Sequence, residues 1–553
     1  MTDVKQTNDV PEPPSDSESQ GEMFSGLRLV SLLTLGSRVT GLIRDSGMAA
    51  LFGNGPIMDA FTVAFRIPNL ARRLFGEGAL TAAFLPALVR EMEQKGRDSA
   101  WRLASALFVV LAVVLCGIVV VAEVGLFVAG SLTDSADTQL LIGLAAVMVP
   151  YLIFICLAAQ VGAVMHSMNH FTWPAIISVL LNLVWIVGIF IVAPMFETAT
   201  AKIYAIGVVV VVGGVMQFAV PLPALFGLGF KFNRSCLGRS NPDRAQTIAG
   251  VRAIAKTMLP VLLGLSVTQF NSVLDSFVAW WFANSADGFL SDWVSIEAGT
   301  AAALYFGQRM YQFPLGVLGI ALGTVLFPRL SRHSERDRLD LLRDDLAMGL
   351  RLVICIGVPA SIGLCLLAEP LTDLLFRHGK FDDNDARQTA AMIKGYGSAV
   401  WAYCGLLILN RAFYAVDDQK TPLKAGLWAM VLNLVLNFVL IVAVGGVGLA
   451  LGTAISSAIQ CLAVLWLLQK RIGRIDVASC WSTLLKTFAA SAVMSAACLL
   501  SLNAMAGGES LVLRAVRLVV PVAVSLVTFW LMSRVLRMPE VDMLLKRDST
   551  GGE

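Results

Sequence analysis

Charge is what this chain has little of. Only 15% of its 553 residues are Asp, Glu, Lys or Arg, while 57% are hydrophobic, and mean hydropathy is +0.74. Soluble domains carry about 25% charged residues, so a water-soluble globular class is excluded. Histidine is scarcer still: His166, His170, His333 and His378 form neither HExxH nor another zinc pattern, and loop positions suggest surface roles. No GxxxxGK[ST] run occurs, which argues against ATP hydrolysis by this chain. The nine cysteines are scattered without a CxxC pair, and Cys116, Cys355, Cys365 and Cys461 sit in apolar runs, so buried thiols are expected. Net charge is only +3, and no nucleic-acid partner is expected.

Long apolar runs fill the space that charge leaves. Leu107–Val128, Leu140–Val164, Ile176–Val192, Ile203–Leu228, Leu352–Leu367 and Leu427–Val444 are examples. A spanning helix takes about 20 residues, so the chain accommodates about fourteen of them with short loops. The fold class is an all-α polytopic membrane protein in the lipid bilayer. Lys231, Arg234, Arg239 and Arg244 follow the sixth run, and Lys470, Arg471 and Arg474 follow the twelfth, while Ser131–Gln139 and Asn284–Thr300 are acidic and lack Lys or Arg. That alternation puts both termini on the cytoplasmic side. Arg377, Lys380, Arg387, Arg514 and Arg517 then fall outside, against the trend.

The layout is a disordered acidic tail over 1–24, an N-lobe of helices 1–6 over 25–229 and a basic cytoplasmic linker over 230–249. A C-lobe of helices 7–12 follows over 250–470, then helices 13–14 over 471–538 and a cytoplasmic tail over 539–553. Weak internal similarity supports two six-helix halves. Ala83-Phe84-Leu85-Pro86-Ala87-Leu88 echoes Val325-Leu326-Phe327-Pro328-Arg329-Leu330, each after an X-Pro break at Ile67-Pro68 or Phe313-Pro314. Repeats of this kind suit lobes that rock about a central site. Gly319 and Gly323 form a GxxxG whose default meaning is close helix packing.

The few charges stand in unexpected places. Arg38, Arg44, Asp45, Asp59, Arg66, Arg72, Arg73 and Glu77 all lie within the first two apolar segments. An ionised group at membrane depth costs a few kcal/mol or more unless it is paired or faces water. Asp59, Arg66, Arg73 and Glu77 follow at spacings of seven, seven and four, one stripe down a helix. Ser37, Gly41 and Arg44 share a strip of the first helix, beside Arg38 and Asp45, and Arg309 adds a cation from the eighth. Guanidinium is permanently charged and its fork of donors matches phosphate. A hydrated cationic cavity for an anionic cargo is expected. Arg38, Arg44, Asp45, Arg72 and Arg309 are candidates for binding, with Ser37, Asp59, Arg66, Arg73 and Glu77 for gating or support. The plainer alternative is that these groups pair to hold the bundle together, Arg73 with Glu77 above all.

Gly36-Ser37-Arg38-Val39-Thr40-Gly41-Leu42-Ile43-Arg44-Asp45, Asp59-Ala60-Phe61 and the run from Phe65 to Ala79 resemble the MurJ/MviN family of lipid II flippases, within the multidrug/oligosaccharidyl-lipid/polysaccharide exporter superfamily. Tyr311-Gln312-Phe313-Pro314-Leu315-Gly316, Gly379-Lys380-Phe381, Arg411-Ala412-Phe413-Tyr414-Ala415 and Thr421-Pro422-Leu423-Lys424 agree. The resemblance implies two six-helix lobes plus two C-terminal helices in a bacterial cytoplasmic (inner) membrane. It implies movement of lipid II, the undecaprenyl-pyrophosphate-linked peptidoglycan precursor, from inner to outer leaflet, in company with cell-wall synthesis proteins. It places cargo at Arg38, Arg44, Arg72 and Arg309, with Asp45 beside them. Gln308 and Gln312 stand where some members carry acids, which makes that part of the cavity less anionic.

Asp275, Asn433, Asn437 and Thr453 supply carboxylate, amide and hydroxyl oxygens suited to a hard cation. They resemble a family sodium site in which Leu449 gives its backbone carbonyl, although Asn437 replaces a carboxylate. A sodium ion or the membrane potential is therefore the expected coupling, with no other cofactor. Interhelical hydrogen bonding is the alternative for these residues. Rival functions are export of another polyprenyl-linked saccharide, export of a drug cation, which the arginines disfavour, and a non-transporting scaffold for cell-wall enzymes. A membrane enzyme would need a catalytic constellation, and none is evident.

Overall fold

Inside lipid a backbone has no water to bond and must satisfy its own N–H and C=O groups, so apolar runs of this length become helices. The computed structural model describes residues 16–74, 80–234, 236–238, 243–284, 296–316, 329–334, 336, 338–505, 508 and 510–545. Among them every regular element is helical. The first half contains α1 (Asp16–Phe52), α2 (Pro56–Ala71), α3 (Leu80–Lys95), α4 (Arg97–Ser131), α5 (Ala136–Met148), α6 (Tyr151–Ser167), α7 (Thr172–Val187), α8 (Ala199–Ala219) and α9 (Leu222–Gly227). The second contains α10 (Arg244–Asn284), α11 (Thr300–Pro314), α12 (Leu339–Leu366), α13 (Ala368–Leu375), α14 (Asp383–Gly397), α15 (Val400–Ala415), α16 (Lys420–Val444) and α17 (Val447–Ile472), followed by α18 (Val477–Ala504), α19 (Leu511–Val535) and α20 (Pro539–Leu545).

Nine helical segments among the described residues are long and apolar enough to cross a membrane, ten if α14 and α15, bent by 42°, form one span. The expected first, second, seventh and eighth spans are not among them, and they are the segments that carry the interior charges.

Most of the packing lies within each half of the chain. α1 lies on α7, α2 on α5, α3 on α4 and α6, and α8 on α6 and α7. In the second half α14, α15 and α16 all lie on α17, while α12 lies on α15 and α18. One apolar core surrounds Leu115, Tyr151 and Trp185, and a second surrounds Leu342, Phe413 and Val464. α10 and α11 join them by packing on α2 as well as on each other. Phe306, Phe376 and Phe381 extend the first core into the second half.

Several boundaries differ from expectation. α1 begins at Asp16, inside the stretch read as a tail, because Glu18, Gln20 and Glu22 are adequate helix formers ahead of the apolar run. α2 continues through Pro68 to Ala71, so no break occurs at Ile67-Pro68. The linker is docked: Phe230 packs edge-on to Trp101, the Asn233 backbone N–H donates to the Ser105 hydroxyl, and Cys236 is buried. The final tail contains α20, where Met538 and Val541 pack around Cys355 and buried Glu540 accepts from the Thr483 hydroxyl. Cys116 is exposed rather than buried, and His166 ends α6 instead of lying in a loop. Glu77, Gly319, Gly323 and the Phe327-Pro328 motif lie outside the described residues.

Candidate functional site: a cationic junction between the lobes

In the C-terminal third of α1, Arg44 and Asp45 are 5% and 3% exposed, and they meet α11 across the junction of the lobes. The Arg44 Nε and Nη2 donate to Asp45 Oδ1 at 3.0 and 2.6 Å. Its Nη1 donates to Asn182 Oδ1 at 3.0 Å, and its guanidinium lies 4.4 Å from the Trp185 ring centre. Asn182 and Trp185 both come from α7, which explains why α1 seats on that helix. From the other lobe, Arg309 Nε reaches Asp45 Oδ2 at 3.2 Å. Tyr305 ties the set together: its hydroxyl donates to Asp45 at 3.1 Å and accepts from Arg44 at 3.1 Å and Arg309 at 3.0 Å. One donation and two acceptances use the full capacity of a hydroxyl.

One carboxylate thus serves two guanidinium groups, and the cluster keeps a formal charge of +1. The Arg309 side chain is 30% exposed, against 6% for Arg44, so the unbalanced charge is accessible through Arg309. Arg38 adds a cation two turns along α1, 6.0 Å from the Phe313 ring, with its guanidinium against Gly316. Ser37 donates to the Ser178 carbonyl and accepts from the Asn182 amide.

The stripe on α2 has other partners. Arg66 Nη1 donates to Gln308 Oε1 at 3.0 Å and to the Ser272 hydroxyl. Arg73 donates to Gln269 at 2.9 Å. Arg66 thereby binds α2 to α10 and α11, and Arg73, just past the end of α2, reaches α10, both through neutral groups; Gln308 is a positioned acceptor. Asp59, fully buried, accepts from the backbone N–H groups of Gly299 and Ala302, each at 2.7 Å. A carboxylate there satisfies two orphan donors and complements the positive end of the α11 dipole. Arg72 stands apart: it donates to Asn69 at 3.1 Å and borders a separate cleft with α6 and α7.

Beside Asp59, one end of the molecule is fastened across the lobes. The backbone N–H of Asn54 donates to Asp385 at 2.9 Å, while its side-chain amide donates to the Asp385 carbonyl, Gln388 and Thr389 at 3.0–3.2 Å. The Lys380 N–H donates to the Ala50 carbonyl at 2.8 Å, and the Ser46 hydroxyl to the Leu375 carbonyl. Gly379 has φ +61, and a Cβ there would lie 2.4 Å from the Ala50 oxygen, so the close approach requires glycine. Sequence reasoning missed Asn54, Asp385, Tyr305, Asn182 and Trp185. Only Gly53-Asn54-Gly55-Pro56, a turn signal between two charged helices, and Gly379 within a quoted motif hinted at this end.

The oxygen-rich set does assemble. Asp275 accepts from the Asn437 amide at 2.6 Å and the Thr453 hydroxyl at 2.8 Å, and Asn433 lies 3.1 Å from both Asn437 and Thr453. All of Asp275, Asn433, Asn437 and Leu449 are buried. The Asn437 Oδ1 is buried without a hydrogen-bond partner. An orphaned carbonyl oxygen beside a single carboxylate fits a monovalent cation better than a divalent one. No cluster of three His, Cys, Asp or Glu ligands occurs among the described residues.

Residues 48–519 match the family model described as Lipid II flippase MurJ. The chain belongs to the MurJ family. The Lipid II flippase MurJ of Burkholderia cenocepacia is 33% identical over 458 residues, covering 81% of this chain and 84% of that protein. A probable lipid II flippase MurJ of Vibrio cholerae is 35% identical, covering 78% and 79%. Among solved structures, a lipid II flippase MurJ in an inward closed conformation aligns with TM-score 0.72 at 21% identity, over 92% of this chain and all but 1% of that one (99% covered). An inward-facing multidrug resistance MATE family transporter of the MOP superfamily aligns with TM-score 0.62 at 14% identity, over 80% and 98%. The MurJ family membership places this chain among membrane transporters, and the MATE likeness extends to the fold.

Proposed function

We propose that the protein moves lipid II from the inner to the outer leaflet of the bacterial cytoplasmic membrane by alternating access. The observation that carries this reading is the Asp45–Arg309 pair, an ionic contact between lobes whose partly exposed guanidinium leaves one positive charge unbalanced. A pyrophosphate offers the oxygens that such a group binds, and a ligand that competes for Arg309 also loosens the lobes. Arg38, Arg44 and Arg309 compensate the phosphate charge, and the polyprenyl tail stays in lipid. With both termini cytoplasmic, as the loop charges suggest, the Asn54–Asp385 end faces outward, and its contacts across the lobes support a closed outer end in this conformation. Binding, inner closure and release of the outer fastening then follow in order.

Coupling rests on the cation set or on the membrane potential. Asp275, Asn433, Asn437 and Thr453, with the Leu449 carbonyl, would hold a sodium ion whose charge would offset Asp275. A charge moved through 100 mV is worth about 2.3 kcal/mol, enough to bias the return.

The test depletes cells of the protein and supplies either the normal chain or Arg309→Ala at equal membrane levels. Lipid-linked precursor exposed on the outer face is then quantified. Exposure lost on depletion and restored only by the normal chain is the expected result. Unchanged exposure throughout, in cells lacking any other flippase, overturns it.

A further inference from the structure

The stretch from Asp373 to Asp385 is gripped from two sides. One side meets α1 and the turn after it, through the Ser46, Ala50 and Asn54 contacts of the outer fastening. The other side meets the first turns of α19. Arg514 Nη1 donates to the Arg377 carbonyl at 2.5 Å and to the Asp373 carbonyl at 3.4 Å. The second of these is among the last four carbonyls of α13, which a helix leaves without an internal partner. Arg517 Nη1 lies 3.8 Å from Asp373 Oδ2, and Arg377 Nη1 lies 3.8 Å from Oδ1. Arg377 also pairs with Asp383, the first residue of α14, and two residues on Asp385 accepts from Asn54. A continuous polar line therefore runs from α19 through the end of α13 and the start of α14 to the α1–α2 turn. Arg514 and Arg517 share the face of α19 that carries buried Pro521 and Ser525, while Val512, Val516 and Val519 are exposed on the opposite face.

We propose that Arg514 and Arg517 are positioning residues of the outer fastening, and that α19 acts as a brace behind it. This rests on the alternating-access reading, in which that end must open and reclose. α18 packs on α12, and α19 packs on α18 and α13, so the C-terminal helix pair is seated on the second half of the chain. Charge-assisted bonds to two backbone carbonyls and one carboxylate hold the 373–385 stretch against that half. Opening then parts the stretch from α1 and leaves it on α19, ready to meet Ala50 and Asn54 again. The brace also accounts for Arg377, Arg514 and Arg517, three of the cations that break the charge trend of the loops.

The test is amide hydrogen exchange of the full-length protein in lipid nanodiscs without cargo, read by peptide, since exchange reports local opening. The Asn54 and Lys380 amides, both donors in the fastening, are the reporters. Arg514→Gln combined with Arg517→Gln should speed exchange about tenfold in peptides spanning 50–56 and 378–386, while peptides of α17 keep their rates. Asp383→Asn cuts the line beyond α19, so it should speed the same two peptides and leave 511–518 unchanged. Faster exchange confined to 511–518 in the double variant shows that the arginines merely anchor α19, and overturns the brace. An unchanged 50–56 peptide in Asp383→Asn overturns it as well. If the double variant also exchanges faster throughout α17 it has lost its fold, and Asp383→Asn alone decides. Because no cargo is present, failure here leaves the flippase reading standing, and that reading falls only by the lipid-exposure test of Arg309→Ala.

Discussion

Asp45 is a single acceptor for three donors, and that arithmetic makes it the most consequential side chain of the junction. Removing it leaves Arg44, itself 5% exposed, without its charge partner and next to a second guanidinium. Breaking a buried pair from one side costs about 3–5 kcal/mol, and Arg309's partial exposure argues for the lower end. Asp45→Ala should lower the unfolding temperature in detergent markedly, and Asp45→Asn less, since one acceptor oxygen remains. Equal melting of Asp45→Ala and the normal chain would remove the junction from the account. At the other polar cluster, Asn437→Asp sets a second carboxylate in hydrogen-bond contact with Asp275. The variant should be destabilised in choline buffer and rescued by sodium more strongly than the normal chain. At a hundredfold excess over Kd the gain is about 2.7 kcal/mol. Melting curves that ignore sodium in both chains would show that these oxygens serve hydrogen bonding alone.

At the scale of elements, the α1–α2 turn and the segment before α14 are held together by backbone geometry. Gly379→Val forces a β-branched residue into the left-handed region, at a cost of about 1–2 kcal/mol, and drives its Cβ into Ala50. The fastening should loosen. Thr300→Cys, buried at 1%, should then react faster with a membrane-impermeant maleimide than in the Gly379 background. An unaltered rate would mean that this end does not depend on the close approach. The helices themselves were legible, because hydropathy alone dictates them in lipid. That Arg44 would find a carboxylate was legible too, since a guanidinium at such depth needs one, while the grouping with Arg309 came only from the resemblance. The partners across lobes were not legible. Gln269, Ser272, Gln308 and Tyr305 meet α1 and α2 only after about 200 residues of chain have folded back, and no local period encodes that approach. Asp59 is the clearest case: as one member of an α2 stripe it suggested a charge partner, yet it serves the backbone of α11.

For the molecule as a whole, the fastening at Asn54 and the network at Asp45 are two interfaces between the same pair of lobes. Transport requires the first to open. Cysteines at positions 54 and 389, whose native side chains meet at 3.0 Å, should form a disulfide that halts flipping and leaves cargo binding from the inside intact. Reduction should restore transport. Continued flipping by the oxidised protein would rule out movement at this end.

Trp185 gives the junction a voice of its own. Its indole is 1% exposed, touches Met48 through Nε1, and carries the Arg44 guanidinium 4.4 Å from its ring centre. A cation so placed perturbs the excited state of the ring, so any ligand that draws Arg44 away changes the colour and yield of one tryptophan's fluorescence. Subtracting the emission of Trp185→Phe from that of the normal chain isolates this single residue among eleven tryptophans. The protein therefore has a built-in optical gauge of whether its central arginine is engaged.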